Sequence, residues 1–147
     1  MKLKREFANG FLIFIAIGGY FLLMEVLGLS DIFYLRILNL FIVLYGINRT
    51  ITGNIKNGVA GYLPNLISAF VTGMIGAILG IIALLIYIPY KGGTAYLEKL
   101  SEGFLFGGGT VSTPQYCIGL LFESSAATMI IAFCMMQYYK SKIIKTD

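Results

Sequence analysis

Three ionisable side chains, Glu25, Arg36 and Glu123, stand inside or beside long apolar runs of this chain. A charge in such a setting is costly, and it normally faces a partner or a water-filled cavity. Glu25 lies five residues before Ser30 and Arg36 six after it. If Ser30 and Asp31 make the turn of an antiparallel hairpin, the two charges fall at nearly equal depth. They are therefore predicted to pair and to fix the hairpin register. Glu123 has no cation within a helical turn, only Ser124, Ser125 and Thr128. Three readings of it stay open. It could pair with Arg36, whose long side chain can reach inward. It could be a neutral acid hydrogen-bonded across helices, with Asn39 as the candidate partner. Or it could handle protons or ions.

The missing residues narrow the chemistry further. The chain has no histidine, which removes the usual haem ligand and the usual general base near neutral pH. Its two cysteines, Cys117 and Cys134, would lie roughly 25 Å apart along one helix. That is too far for a disulfide, and neither has a neighbour at metal-ligand spacing. There is no Ser-His pair, no HExxH and no phosphate loop. Gly107, Gly108 and Gly109 lack the strand, helix and acidic residue of a nucleotide fingerprint. No enzyme activity, cofactor or metal is expected.

The stretch 64–90 is the one to position these groups. It holds no charge and carries small residues at every fourth place: Ser68, Thr72, Gly76 and Gly80, with Gly73 in the adjoining row. Residues four apart stack on one helix face. Small-xxx-small rows let backbones approach closely in lipid, where apolar burial does not drive helices together. At helical rise the stretch makes a rod of roughly 40 Å, longer than the ~30 Å hydrocarbon core of a bilayer. Its small-residue face is read as a packing face, within the bundle or against another subunit.

The composition agrees. Of the 147 residues 58% are hydrophobic and 12% charged, and mean hydropathy is +0.84; a soluble domain carries about 25% charged residues. The expected fold is an all-α integral membrane protein, a four-transmembrane-helix bundle in one domain over 1–147. Its helices span about 7–29, 31–49, 64–90 and 114–139. The run 7–29 is too long for a signal-peptide core and lacks a small-x-small cleavage site. Residues 49–64, rich in Gly, Asn and Thr, read as a loop. Between the third and fourth helices, Tyr96, Leu97, Leu100 and Phe104 share one helical face, the pattern of a short interfacial amphipathic segment.

Eight of the eleven Lys and Arg lie at the two termini and in the second loop. The positive-inside rule then puts both termini in the cytoplasm. Tyr34, Tyr87, Tyr90 and Tyr116 would form one interfacial belt, and Tyr62, Tyr138 and Tyr139 the other. The net charge of +4 gathers at helix ends with no basic stripe, so nucleic acid is not an expected partner.

A charged start, a tight first hairpin, a Gly-rich third helix, AYLEKL at Ala95 to Leu100 and MQYYK at Met136 to Lys140 resemble the small four-helix bacterial membrane proteins catalogued as domain of unknown function 4199. The resemblance implies a bacterial inner membrane and lends no catalytic residues. The leading expectation is a non-enzymatic accessory or scaffold subunit, docking a larger membrane complex through the small-residue face. The alternatives are a small oligomeric transporter or channel with Glu123 and Arg36 along a polar path, and a protein that holds membrane lipid in its Gly-rich groove. Expected partners are membrane lipids, and other membrane subunits or further copies of the chain.

Overall fold

The computed structural model describes residues 3–30, 32–101 and 111–144. Among them the chain is helical with no strand: α1 Leu3–Val26, α2 Phe33–Arg36, α3 Leu38–Lys56, α4 Tyr62–Lys91, α5 Thr94–Ser101 and α6 Thr113–Ile144. Helix α4 is central, touching α1, α3, α5 and α6. Three helices, α1, α4 and α6, are long and apolar enough to cross a membrane; α3 does not meet that measure.

Three helices end in the same way, for a conformational reason. Gly28 after α1, Gly58 after α3 and Gly92 after α4 have φ of 70°, 69° and 133°, a region disfavoured for side chains with a Cβ. After α1, Gly28 N donates to Glu25 O and Leu29 N to Met24 O, the paired bonds of a Schellman cap. Helix α6 starts on one half of a capping box: the backbone N of Ser112 donates to Gln115 Oε1 at 3.0 Å, and the Ser112 hydroxyl donates to the same oxygen at 3.0 Å.

Burial inverts the pattern of a water-soluble bundle. The covered face of α1 is Glu6, Asn9, Gly10 and Ile13; that of α4 includes Asn65, Ser68, Ala69, Thr72, Gly73 and Gly76. Large apolar side chains point outward, among them Phe11, Ile15, Leu22, Phe41, Ile82, Ile86, Phe122 and Ile130. Polar and small residues inside, with Leu, Ile and Phe outside, suit a bundle whose solvent is hydrocarbon. One apolar core cluster joins α3, α4 and α6 through Ile47, Ile51, Ala69, Ala132, Met136 and Ile143. A second joins α4, α5 and α6 through Ile88, Tyr96, Leu97, Leu100 and Tyr116.

Several sequence expectations are corrected. The predicted helix 31–49 is the single turn α2 followed by α3, and α3 continues to Lys56 through the first half of the predicted loop. The Thr, Gly and Asn residues there do not break the helix because they serve as contacts: Thr50 and Asn54 are fully buried. The last helix runs five residues beyond its predicted end at 139. In α5, Tyr96, Leu97 and Leu100 are covered by the chain's own α4 and α6, so this face is not free to lie on a membrane surface. Phe104 lies outside the described residues.

Candidate functional site

A cavity of about 450 Å³ lies between α1, α2, α3, α4 and α6. Its floor is the small-residue side of α4, where Gly73, Gly76, Ala77 and Gly80 line it, and Phe14, Ile17, Phe21 and Leu84 supply apolar walls. Arg36, Asn39, Glu123, Ser124 and Thr128 bring the polar atoms. Leu100 of α5 and Tyr116 of α6 also line it. Its size is in the range of small-molecule pockets, about 300–1,000 Å³, and its apolar lining with few polar groups is typical of them.

The cavity exists because the α4 row is used unevenly. A Cβ at Gly76 would sit 2.7 Å from Ile13 Cγ2, and one at Gly73 would overlap the Thr128 side chain. At Gly80 nothing lies within 4 Å. Ser68, Thr72, Gly73 and Gly76 are thus taken up inside the chain by α1, α3 and α6, and the helices diverge only beyond Gly76. The face expected to dock another subunit is occupied by this chain over most of its length.

The ionisable groups meet partners other than those expected. Glu25 and Arg36 are not paired. Glu25 Oε1 lies 3.8 Å from Lys91 Nζ, and Glu25 Oε2 accepts from the Tyr96 hydroxyl at 3.0 Å. Arg36 Nη2 donates to Leu100 O at 3.0 Å and to the Tyr116 hydroxyl at 3.3 Å. Equal depth would require one straight helix leaving the turn. The chain instead makes the single turn of α2 and restarts at Leu38, which aims Arg36 at α5 and α6. The Tyr20 hydroxyl holds this bend to α1 through Leu35 O at 3.0 Å.

Glu123 and Arg36 line the same cavity without forming an ion pair within 4 Å, and Glu123 makes no hydrogen bond to Asn39. Asn39 Oδ1 is buried without a partner. The cavity therefore offers a guanidinium, a carboxyl and an amide oxygen that the fold does not pair with one another. Among the described residues no group of three or more Cys, Asp or Glu could hold a metal ion.

Helix α5 is clasped at both ends of its buried face, by Tyr96 to Glu25 and by Leu100 O to Arg36. Burial, reinforced by the bond to Glu25, pushes the Tyr96 phenol above its ordinary value, so it remains the donor. Tyr96→Phe should loosen α5 by about 1.5–3 kcal/mol, the worth of one hydrogen bond to a charged group. Faster amide exchange confined to 94–101 is the expected readout. The exposed Lys91 end of the ion pair contributes little, so Lys91→Met should leave that exchange nearly unchanged.

A second polar cluster was not singled out from the sequence. Glu6, Asn9, Thr50, Asn54, Asn65, Ser68 and Thr72 are all buried and join α1, α3 and α4. Arg5 Nη1 donates to Asn54 Oδ1 at 2.8 Å, and Asn9 Nδ2 donates to Thr50 Oγ1 at 2.9 Å. In the sequence Glu6 stands next to Lys4 and Arg5, and Thr50 and Asn54 stand in the stretch read as a loop. The available signal was spacing: Glu6, Asn9, Gly10 and Ile13 follow the i, i+3, i+4, i+7 pattern of a single helix face.

The fold and cavity define a helical bundle with a hydrocarbon-compatible exterior and a mainly apolar, partly open cavity. No protein-family profile, curated protein or solved structure matches the chain.

Proposed function

We propose that this is a non-enzymatic multi-span membrane protein that holds the acyl portion of a lipid in the cavity beneath α5. The supporting observation is the cavity itself, apolar along its walls, with Arg36, Asn39 and Glu123 gathered on its polar side. An acyl chain matches the walls, and an anionic or hydrogen-bonding headgroup matches Arg36 and Asn39. In this reading α1, α4 and α6 cross the membrane, and α2 with α3 supplies a fourth crossing. Both termini lie in the cytoplasm of a bacterial inner membrane, as charge placement and the resemblance to the domain of unknown function 4199 family imply. Docking of a further subunit would use other faces, because Ser68, Thr72, Gly73 and Gly76 are already covered.

The test is mass spectrometry of lipid retained through purification in mild detergent. One defined lipid class should accompany the wild-type protein. Gly80→Leu should fold, because open space surrounds that position, and should lose most of that lipid by filling the cavity. Equal lipid retention in both proteins would exclude the cavity as the binding place. A transporter reading has one specific support, Glu123 exposed to the cavity without a partner. It requires a pH-dependent flux in liposomes that Glu123→Gln abolishes.

A further inference from the structure

The cavity leaves a second cationic place unexplained, at the end of the bundle where α1 begins and α3 finishes. Along α3, Phe41, Tyr45, Arg49 and Gly53 are spaced by four, so they form one row on a single helix face. Phe41, Tyr45 and Arg49 are exposed. The row ends on Gly53, where the Arg5 side chain of α1 lies over the bare backbone. A Cβ at Gly53 would stand 3.0 Å from Arg5 Cδ, 3.1 Å from Nε and 3.3 Å from Cζ. Positions four apart on a helix have Cβ atoms about 5–6 Å apart. The Arg5 guanidinium and the stem of Arg49 therefore occupy neighbouring places on one surface, and exposed Lys56 follows a turn later.

Nothing in the chain balances these charges. Arg5 Nη1 donates to Asn54 Oδ1 at 2.8 Å, which holds the group in place and spends one of its five N–H donors. Among the described residues Arg49 and Lys56 make no hydrogen bond or ion pair. Helix α3 contains no Asp or Glu. The described carboxyl group nearest this end, Glu6, is fully buried and accepts from Ser68 of α4. Glu25 lies twenty residues beyond Arg5 on α1, about 30 Å at helical rise. Glu123 precedes Tyr139 by sixteen residues on α6, about 24 Å, and it is Tyr139 that meets α3, at Asn48. Like charges side by side repel, and an anion taken from the surroundings removes that cost.

We propose that Arg5 and Arg49, with Lys56 beside them, bind the phosphate of an anionic phospholipid that stands along the outer face of α3. The order of side chains in the row matches the order of groups in such a lipid. Phe41 meets the acyl chain, Tyr45 the ester region, and the guanidinium groups the phosphate. Planar guanidinium forks match phosphate oxygens two at a time. A zwitterionic lipid carries an ammonium group that three cations repel, whereas a phosphatidylglycerol headgroup carries none. The lipid ties α1 to α3, so its binding adds to the stability of the fold by mass action. This inference rests on the membrane-crossing part of the proposed function and not on the cavity, since Arg36 lies thirteen residues before Arg49.

The experiment is thermal unfolding of the purified full-length protein in phosphatidylcholine nanodiscs, with phosphatidylglycerol added in increasing fraction or with inorganic phosphate added to the buffer, at constant ionic strength. The wild-type midpoint should rise saturably by several degrees with phosphatidylglycerol and stay level with inorganic phosphate. Arg49→Gln, at an exposed position, should fold and need about tenfold more phosphatidylglycerol for the same rise, the loss of one charged hydrogen-bonding group. Lys99→Gln removes an exposed charge on α5 and should respond as the wild type does. Gly80→Leu should also keep the full response, which separates this lipid from one held in the cavity. Equal wild-type midpoints with and without phosphatidylglycerol would overturn the proposal. A rise with inorganic phosphate alone would replace the lipid with a free anion. Equal weakening in Arg49→Gln and Lys99→Gln would reduce the effect to net charge and remove the site. A protein that stays dispersed in water without detergent or disc would sink both this proposal and the membrane reading.

Discussion

Replacing Gly10 by leucine is expected to abolish the folded bundle, giving aggregated protein in place of a monodisperse detergent peak. A Cβ alone at this position would lie 2.7 Å from both Cβ and Cγ2 of Ile75 and 2.8 Å from the Thr72 carbonyl oxygen. The last is backbone of α4, so no rotamer change relieves the contact; the two helices must move apart. Even Gly10→Ala should lower stability by about 1–3 kcal/mol, the usual cost of overpacking. The separation would also pull Glu6 away from Ser68, because Gly10 follows Glu6 by one turn on the same face of α1. Gly19→Leu is the matched control. It lies on the same helix with nothing within 4 Å and should be neutral or gain up to about 1 kcal/mol in helix propensity.

Arg36→Met should unclasp α5. The guanidinium joins α2 to the end of α5 and to α6 through Leu100 O and the Tyr116 hydroxyl. Hydrogen bonds from a charged donor are worth about 1.5–3 kcal/mol each. Losing the Leu100 bond should accelerate amide exchange across 94–101 by about 10- to 100-fold. Methionine keeps much of the aliphatic length, so cavity volume changes little. Exchange in α3, α4 and the C-terminal half of α6 should stay near wild type, held by the cluster around Ile47, Ala132 and Met136. Acceleration spread over every helix would mean that Arg36 supports the whole bundle, not α5 alone. Under the lipid reading, Arg36→Met should also shift retained lipid away from anionic classes.

The all-helical fold was legible because apolar runs and glycine punctuation act locally. Gly28, Gly58 and Gly92 end their helices by conformational necessity. The extent of α3 was not legible. Thr50, Gly53 and Asn54 look like loop residues until α1 lies beside them, with the Arg5 side chain packed against Gly53. The same blindness hid the Glu6 cluster, since seven polar residues from three helices form a site only after packing. The small-residue row of α4 was visible in the sequence, but its partner was not. A one-dimensional pattern cannot say whether Gly76 meets Ile13 of its own chain or another protein. The Glu25 to Arg36 pairing failed on a single kink: one helical turn, Phe33–Arg36, was enough to redirect the guanidinium.

The glycines also divide the molecule mechanically. Around Gly10, Gly46 and Gly76 the helices approach one another's backbone, whereas beside Gly80 the apolar cavity leaves free volume. Compression acts on voids more readily than on close-packed matter. Hydrostatic pressure should therefore squeeze the Arg36 end and leave the Glu6 end almost unstrained, so the bundle would behave as a stiff stem carrying a compliant bowl.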